Sequence, residues 1–215
     1  MFGWGRVGHS RYMIIPETKS WTWVLESACP DCGLDTPTVP RTRIPALTRA
    51  NAAAWHELLV SGGDELRVRP NPDTWSPAEY ACHVRDVFVL FDERLRLMLT
   101  QDAPEFANWD QDATAVESRY SEQDPVRVAA DLASAGATLA DAFAAVAEDG
   151  WARTGIRSDG MIFTVESFAR YFIHDPVHHL WDVTGVRAER GEEPEGRMPG
   201  VVVLGGGLQT RPSGG

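Results

Sequence analysis

The sequence has little positive charge, few cysteines and no long apolar run. Its 20 Lys and Arg against 31 Asp and Glu give a formal net charge of −11. No basic stripe interleaved with aromatic residues occurs, so we expect no nucleic-acid partner. The same charge disfavours an anionic membrane surface, and no stretch reaches the roughly 18 consecutive apolar residues of a membrane span.

The cysteine content and the first residues bear on the cellular compartment. Three cysteines, an odd number, fit a reducing compartment better than a disulfide framework. The N-terminal residues have no continuous apolar core like that of a secretory signal. We therefore expect a cytoplasmic protein.

The residues that are present are sufficient for one domain with an apolar core. Hydrophobic residues make up 43% of the 215 positions, and eight are tryptophan. Four segments have apolar residues at helical spacing, and long connections follow the second and third. The pattern predicts an all-α fold, a four-helix bundle with long connections. We place the bundle at residues 39–185, after an irregular N-terminal extension with a Cys-x-x-Cys turn at 1–38 and before a flexible tail at 186–215.

The second helix has the clearest start signal in the sequence. Ser76 is its predicted N-cap, Pro77 takes the first helical position, and Glu79 completes a capping box. Asp124 precedes a proline at the start of the third helix, and Thr164 is the candidate N-cap of the fourth. The bundle therefore has start signals at three of its four helices.

Three of the six histidines lie in one stretch of six residues, 174–179, within the fourth helix. His174 and His178 are four positions apart, so they share one helix face and can bind one metal ion. His179 points about 100° away. Pro176 lies between the paired histidines, where it predicts a kink in the helix or a restart of the helix at Asp175. The helix face predicted to be buried consists of Ser167, Tyr171, His174, His178 and Trp181.

His83 lies on the apolar face of the second helix. A buried neutral histidine needs partners for both ring nitrogens, and a metal ion can be one of them. Taken alone, His83 fits a hydrogen-bonded core histidine. Taken with the paired histidines of the fourth helix, it fits a shared metal site.

Cys29 and Cys32 form a Cys-x-x-Cys-Gly turn before the first helix. A structural zinc site has four ligands, which usually come from two ligand pairs of this kind. The sequence has no second cysteine pair, only Cys82 and a few histidines. The pair therefore has three interpretations: half of a zinc knuckle, a redox pair, or a turn with weakly reactive thiols.

The connection between the second and third helices is long, with Trp109 near its centre. Structureless loops of this length are uncommon in compact domains unless they are functional or contain short helices. The segment is either a solvated acidic loop anchored by Trp109 or a lid at the mouth of the metal site.

The sequence resembles the DinB-like superfamily. The resemblance lies in Ser76, Glu79 and His83 of the second helix and in the pattern His174-x-x-x-His178 of the fourth. That superfamily includes thiol-dependent transferases and maleylpyruvate isomerases that use mycothiol or bacillithiol. The resemblance covers roughly residues 40–184 and implies His83, His174 and His178 as metal ligands. We expect Tyr171, His179, Trp181 and Trp109 around the ion or along its pocket.

The ligand set that the resemblance implies has a chemical consequence. Three neutral imidazoles leave open coordination positions on a divalent ion, and zinc or nickel fit best, with iron or copper as alternatives. A thiol bound there is deprotonated near neutral pH and can attack an electrophilic carbon. Together with this chemistry, the resemblance implies a metal-dependent transferase or isomerase that uses a low-molecular-weight thiol of the mycothiol type.

Two other functions fit the same sequence features. One is a non-catalytic metal- or ligand-binding bundle of the stress response, and the other is a metal-dependent hydrolase. The expected partner of the enzyme is a small electrophilic substrate, and a homodimer is left open.

Overall fold

The computed structural model describes residues 21–188, which contain the predicted four-helix bundle. Five α-helices and one hairpin follow in chain order: α1 Ile44–Ser61, α2 Pro77–Thr100, α3 Gln111–Glu117, α4 Pro125–Ala144, β1 Thr154–Ile156, β2 Ile162–Thr164 and α5 Val165–Thr184. The four long helices are the four predicted ones, and α3 is a short addition within the long connection. No described helix is long and apolar enough to cross a membrane. Most of the flexible tail predicted at 186–215, and the first 20 residues of the extension, lie outside the described residues.

The helix starts follow the signals in the sequence. Ser76 and Glu79 form the predicted capping box, in which each side chain accepts from the other residue's backbone N–H. Thr164 caps α5 and makes a second capping box with Ser167. Asp124 accepts from a backbone N–H of the first turn of α4. These side chains satisfy backbone donors that have no partner inside a helix.

Two kinds of packing hold the long helices together. Between α1 and α4 the approach is close, because a Cβ at Gly136 would lie 2.6 Å from Cβ of Ala52. Between α2 and α5 the contact is aromatic, with the Phe91 ring 4.6 Å from that of Phe168 and 5.1 Å from that of Phe172. The aromatic contact fixes α5 against α2, the helix that carries His83.

The buried face of α5 differs from the predicted one. Its apolar core residues are Val165, Phe168, Ala169, Phe172, Ile173 and Pro176. His174 and His178 are buried beside this face, whereas Ser167, Tyr171 and Trp181 are only partly buried. The larger apolar side chains set the rotation of the helix, because burying them removes more apolar surface from water.

Pro176 does not interrupt α5, which runs through it from residue 165 to residue 184. The Pro176 carbonyl accepts from Nδ2 of Asn51 at 2.9 Å and from Nε1 of Trp55 at 3.4 Å. Both donors lie on α1, so the proline region is tied to a neighbouring helix. The predicted restart at Asp175 is therefore absent, and the histidines on either side share one helix.

The long connection after α2 is ordered by the hairpin. The Phe106 backbone N–H donates to the Ile156 carbonyl at 2.8 Å, and the Ile156 N–H donates to the Pro104 carbonyl at 2.9 Å. Gly155 permits this approach, because a Cβ there would lie 2.4 Å from Cζ of Phe106. The connection thus runs beside β1 before it enters α3.

Replacing Glu79 with Gln should destabilise the fold by about 2–3 kcal/mol. The Glu79 carboxylate is 3% exposed and is paired with Arg69 through two hydrogen bonds, of 2.8 and 2.5 Å. Gln keeps one acceptor oxygen but loses the charge and replaces the other oxygen with an NH2 donor, so at least one of the contacts to Arg69 and to the Ser76 N–H is lost. Urea unfolding at pH 7 measures the difference. The matched control is Glu122→Gln, because Glu122 is 65% exposed in its ion pair with Arg119 and should change stability by less than about 0.5 kcal/mol.

The pH dependence of stability gives a second measure of Glu79. Burial raises the pKa of its carboxyl, but hydrogen bonds from Arg69 and Ser76 and the Arg69 charge outweigh burial and hold the pKa below its usual value. The contribution to stability is therefore complete above the unfolded-state pKa of about 4.3 and is lost as the pH falls through the lower folded-state pKa. In Glu79→Gln the loss of stability between about pH 5 and 3 should be shallower. If Glu79→Gln and the wild type lost stability equally steeply below about pH 5, the Glu79 carboxylate would not be the source of this pH dependence.

Candidate functional site

The fifth helix presents two pairs of potential metal ligands. His174 and His178 are one pair four positions apart, and Asp175 and His179 are another. Adjacent residues of a helix point about 100° apart, so the two pairs face different neighbours. Within the described residues, two groups of side chains bring their ligand atoms within 4.8 Å of one another. The triad group is His83, Asp175 and His179, and the Cys/His group is Cys29, Cys32, His174 and His178.

The three predicted ligands are divided between these groups. His83 lies with Asp175 and His179, whereas His174 and His178 lie with the cysteines. The structure therefore does not bring His83, His174 and His178 into one group among residues 21–188. That each of them binds a metal ion stays a prediction.

His83 is fully buried in the centre of the triad group. Neither of its ring nitrogens has a hydrogen-bond partner in the described structure, and Nε2 lies 3.5 Å from Oδ1 of Asp175. The Trp109 ring stacks on the imidazole, with centroids 5.4 Å apart and planes at 16°. Trp75 packs against the same ring at 5.3 Å. The predicted pocket residue Trp109 therefore covers His83.

His179 is oriented by a carboxylate of its own helix. Its Nδ1 is 2.9 Å from Oδ2 of Asp182, and its Nε2 is 3.8 Å from Oδ2 of Asp175. If Nδ1 carries the proton, Nε2 is left as a lone-pair donor directed toward Asp175. Burial raises the pKa of Asp175, but the positive charge that His179 and His83 carry when protonated outweighs burial and lowers it to about 2. The triad group contains two imidazoles and one carboxylate, which are donor types of an open metal site.

The Cys/His group is buried between α5 and the N-terminal segment, which is the part of the chain before α1 that contains Trp21, Cys29 and Cys32. Cys29, Cys32, His174 and His178 are all buried, and Sγ of Cys29 lies 3.5 Å from Nδ1 of His178. Burial and the neighbouring His178 lower the pKa of His174 to about 4, so its ring is neutral at pH 7. The Trp21 ring packs against both histidines, with centroids 5.2 and 5.0 Å away.

A pocket of about 440 Å³ opens beside the two groups. Asp175 and His179 line it, together with Tyr171, Trp109 and Trp21. Trp181 is not among its lining residues; that side chain packs against the His178 ring at 5.3 Å. Three of the four residues predicted to surround the ion therefore line the pocket.

Two charged side chains of the pocket have unusual surroundings. Arg94 donates to the Ala107 carbonyl at 2.9 Å, and within the described chain its guanidinium forms no ion pair with a carboxylate. Oδ1 of Asp112 is buried and has no hydrogen-bond partner among residues 21–188. Burial and the neighbouring Asp110 raise the pKa of Asp112, and His83 opposes them. The pocket therefore offers a positive group and a carboxylate that can accept a proton.

Comparison with known proteins identifies the family. The sequence model of the DinB superfamily matches residues 37–183. This chain belongs to the DinB superfamily. One solved structure that resembles this DinB protein is that of YfiT from Bacillus subtilis. It is described as a probable metal-dependent hydrolase with an unusual four-helix bundle topology. Its TM-score is 0.60 at 17% identity, and the match covers 66% of this chain and 84% of that one. No curated protein matched the sequence.

The candidate site contains residues that were not predicted from the sequence. Asp175 was not predicted, and His179 was expected only beside the ion, although the two are a second pair four positions apart. Asp112, Arg94 and Asp182 had no comparable signal, because their roles depend on how the connection folds back and how α5 is rotated. The match to YfiT supports the fold of this DinB protein and carries no ligand or activity over to it.

Proposed function

We propose that this DinB protein is a metal-dependent enzyme whose divalent ion is held by His83, Asp175 and His179. The observation that carries the proposal is His83, a fully buried imidazole with no hydrogen bond to either nitrogen. Buried polar groups nearly always have partners, and a metal ion would supply the missing one. Two imidazoles and one carboxylate leave coordination positions open, as in catalytic sites. Zinc and nickel fit these donors, and so does ferrous iron.

The surrounding side chains would give the site its geometry. Asp182 holds His179 in one orientation through Nδ1, the arrangement that fixes the tautomer of a ligating histidine. Trp109 covers His83 and limits access of water to it. A divalent ion bound here would favour the deprotonated form of a thiol or water near neutral pH.

The pocket favours a small substrate with an anionic group. Arg94 would bind a carboxylate of the substrate, because its charge has no acidic partner in the described part of the protein. Asp112 would accept the proton of the attacking group. We propose a low-molecular-weight thiol of the mycothiol type as that group, on the strength of family resemblance. Its S–H proton passes to Asp112 and its sulfur bonds to the electrophilic carbon. In a transferase, the bond to the leaving group breaks and that group departs with the bonding electrons. In an isomerase, the carbon–sulfur bond breaks again and the thiol regains its proton from Asp112.

A metal-dependent hydrolase is the second candidate. The same Asp112 carboxylate could take a proton from water instead of from a thiol, and the pocket has room for either. The two reactions differ in whether a thiol is required.

The test is turnover of a thiol with a small electrophile that carries a carboxylate. We expect the zinc- or nickel-loaded protein to form the thioether or isomerised product faster than the uncatalysed reaction, to lose this activity with a chelator, and to regain it when metal is restored. Arg94→Ala should raise KM for the anionic electrophile while leaving a neutral analogue unaffected. His56→Ala is the control, because His56 is exposed on α1.

The alternative results separate the candidates. Hydrolysis of esters or amides without any thiol requirement would replace the transferase with the hydrolase. Stoichiometric metal at the triad group with neither activity would favour the non-catalytic binding bundle.

A further inference from the structure

We propose that Cys29, Cys32, His174 and His178 form a second metal site, a closed Cys2His2 zinc site that joins the N-terminal segment to α5. This inference does not depend on the enzymatic proposal. The two halves have the spacing of such sites, Cys-x2-Cys and His-x3-His. They are far apart in the sequence, since His178 lies 149 positions after Cys29. The fold brings them together.

The observed distances fit a tetrahedral zinc ion. Zinc–sulfur and zinc–nitrogen bonds of about 2.3 and 2.0–2.1 Å at the tetrahedral angle place sulfur about 3.6 Å from nitrogen. Sγ of Cys29 is 3.5 Å from Nδ1 of His178, and all four ligand atoms lie within 4.8 Å of one another. The ligand atoms are therefore already close to the positions that an ion requires.

The turn that carries the cysteines is shaped by its own backbone. The Cys29 N–H donates to the Leu34 carbonyl at 2.9 Å, and the Gly33 N–H donates to the Cys29 carbonyl at 3.0 Å. Gly33 has a φ of +81°, a conformation that glycine adopts without strain. This compact turn directs both sulfurs toward the helix that carries the histidines.

The histidine half also has the surroundings of a metal site. Nδ1 of His178 faces Cys29, while its Nε2 lies 3.7 Å from Oδ1 of Asp182. A carboxylate on the side opposite the metal is the usual partner of a ligating histidine. Nε2 of His174 is buried without a hydrogen-bond partner within the described residues. A disulfide between the two cysteines would leave that nitrogen unexplained, whereas a zinc ion gives it a partner.

The proposed site is structural and would shape the pocket. Four protein ligands leave no open position, in contrast to the triad group. The ion would fix the segment that contains Trp21, which packs on both histidines and lines the pocket. It would also hold the part of α5 that carries Asp175 and His179.

Cobalt substitution under reducing conditions tests the proposal on the full chain. A thiolate bound to Co²⁺ gives a near-ultraviolet charge-transfer band, and the triad group contains no sulfur that could give it. The reductant is a phosphine and no thiol is added, so that the band reports only protein cysteines. We expect this band to saturate with one thiolate-bound cobalt per chain. The band should be lost in Cys29→Ser/Cys32→Ser and retained in His83→Ala. Cys82→Ala is the matched control, since Cys82 is equally buried but belongs to neither group.

A second measurement does not depend on whether the variant folds. In the wild-type protein, zinc should protect Cys29 and Cys32 from alkylation, and a strong chelator should remove the protection, as read by peptide mass spectrometry. Absence of the band together with equal alkylation in the presence and absence of zinc would overturn the proposal. So would a band that survives the double serine change, or recovery of a Cys29–Cys32 disulfide without zinc under reductant.

Discussion

The substitution His83→Ala should abolish binding of the metal ion proposed for the triad group while leaving the bundle folded. Removing a side chain that supports a ligand typically weakens metal affinity by roughly 10–100-fold. Removing a ligand itself should have a larger effect, so we expect the metal affinity to fall by more than about 100-fold. The fold should persist, because His83 makes no hydrogen bond that alanine would break. Trp109 and Trp75 lose a packing partner, at a cost of about 2–3 kcal/mol by analogy with other truncations in a core.

Competition titration against a chelator, with helicity followed by circular dichroism, measures both effects. Asp175→Asn and His179→Ala should weaken binding of the same ion, whereas His174→Ala should act on the ion of the Cys/His group. Unchanged affinity in His83→Ala would remove the basis of the proposed metal centre. Loss of the same ion in His83→Ala and His174→Ala would restore the arrangement predicted from the sequence.

The fold could be predicted from the sequence because its signals are local. Ser76 and Glu79, Asp124, and Thr164 each lie within one turn of the helix start that they specify, and the structure places a cap at all three. The apolar spacing of each long helix is likewise read within one segment. Such signals require no knowledge of how the helices pack.

The site could be predicted only in part, because it depends on the rotation of α5. The sequence His174-Asp175-x-x-His178-His179 contains two ligand pairs about 100° apart. Which pair faces His83 is decided by the packing of Phe168 and Phe172 against α2. The histidine spacing alone does not contain that information.

Long-range contacts explain the remaining differences. Cys29 and Cys32 had no recognisable second half in the sequence, because His178 lies 149 positions from Cys29. Trp109 was ambiguous between an anchor and a lid, and its stacking on His83 follows from the pairing of Phe106 with Ile156. Both cases depend on the tertiary fold.

The substitution Asp182→Ala should weaken metal binding at both proposed sites, and more strongly at the triad group. Oδ2 of Asp182 is 2.9 Å from Nδ1 of His179, a hydrogen-bond distance, whereas Oδ1 is 3.7 Å from Nε2 of His178. Loss of such a partner typically lowers metal affinity 10–100-fold. We expect that range at the triad group and a smaller change at the Cys/His group, because a contact of 3.7 Å is longer than a hydrogen bond.

The two effects can be separated in one cobalt titration, since only the Cys/His group gives a thiolate band. Asp182→Asn should weaken the triad group less than Asp182→Ala, because the amide oxygen still accepts from Nδ1–H of His179 but has no charge. Asp131→Ala, at an exposed position of α4, is the control. Equal affinities in Asp182→Ala and wild type would mean that Asp182 does not orient His179 for metal binding. A loss confined to the thiolate band would mean that the carboxylate supports His178 instead, and that the shorter of its two contacts is the less important for binding the ions.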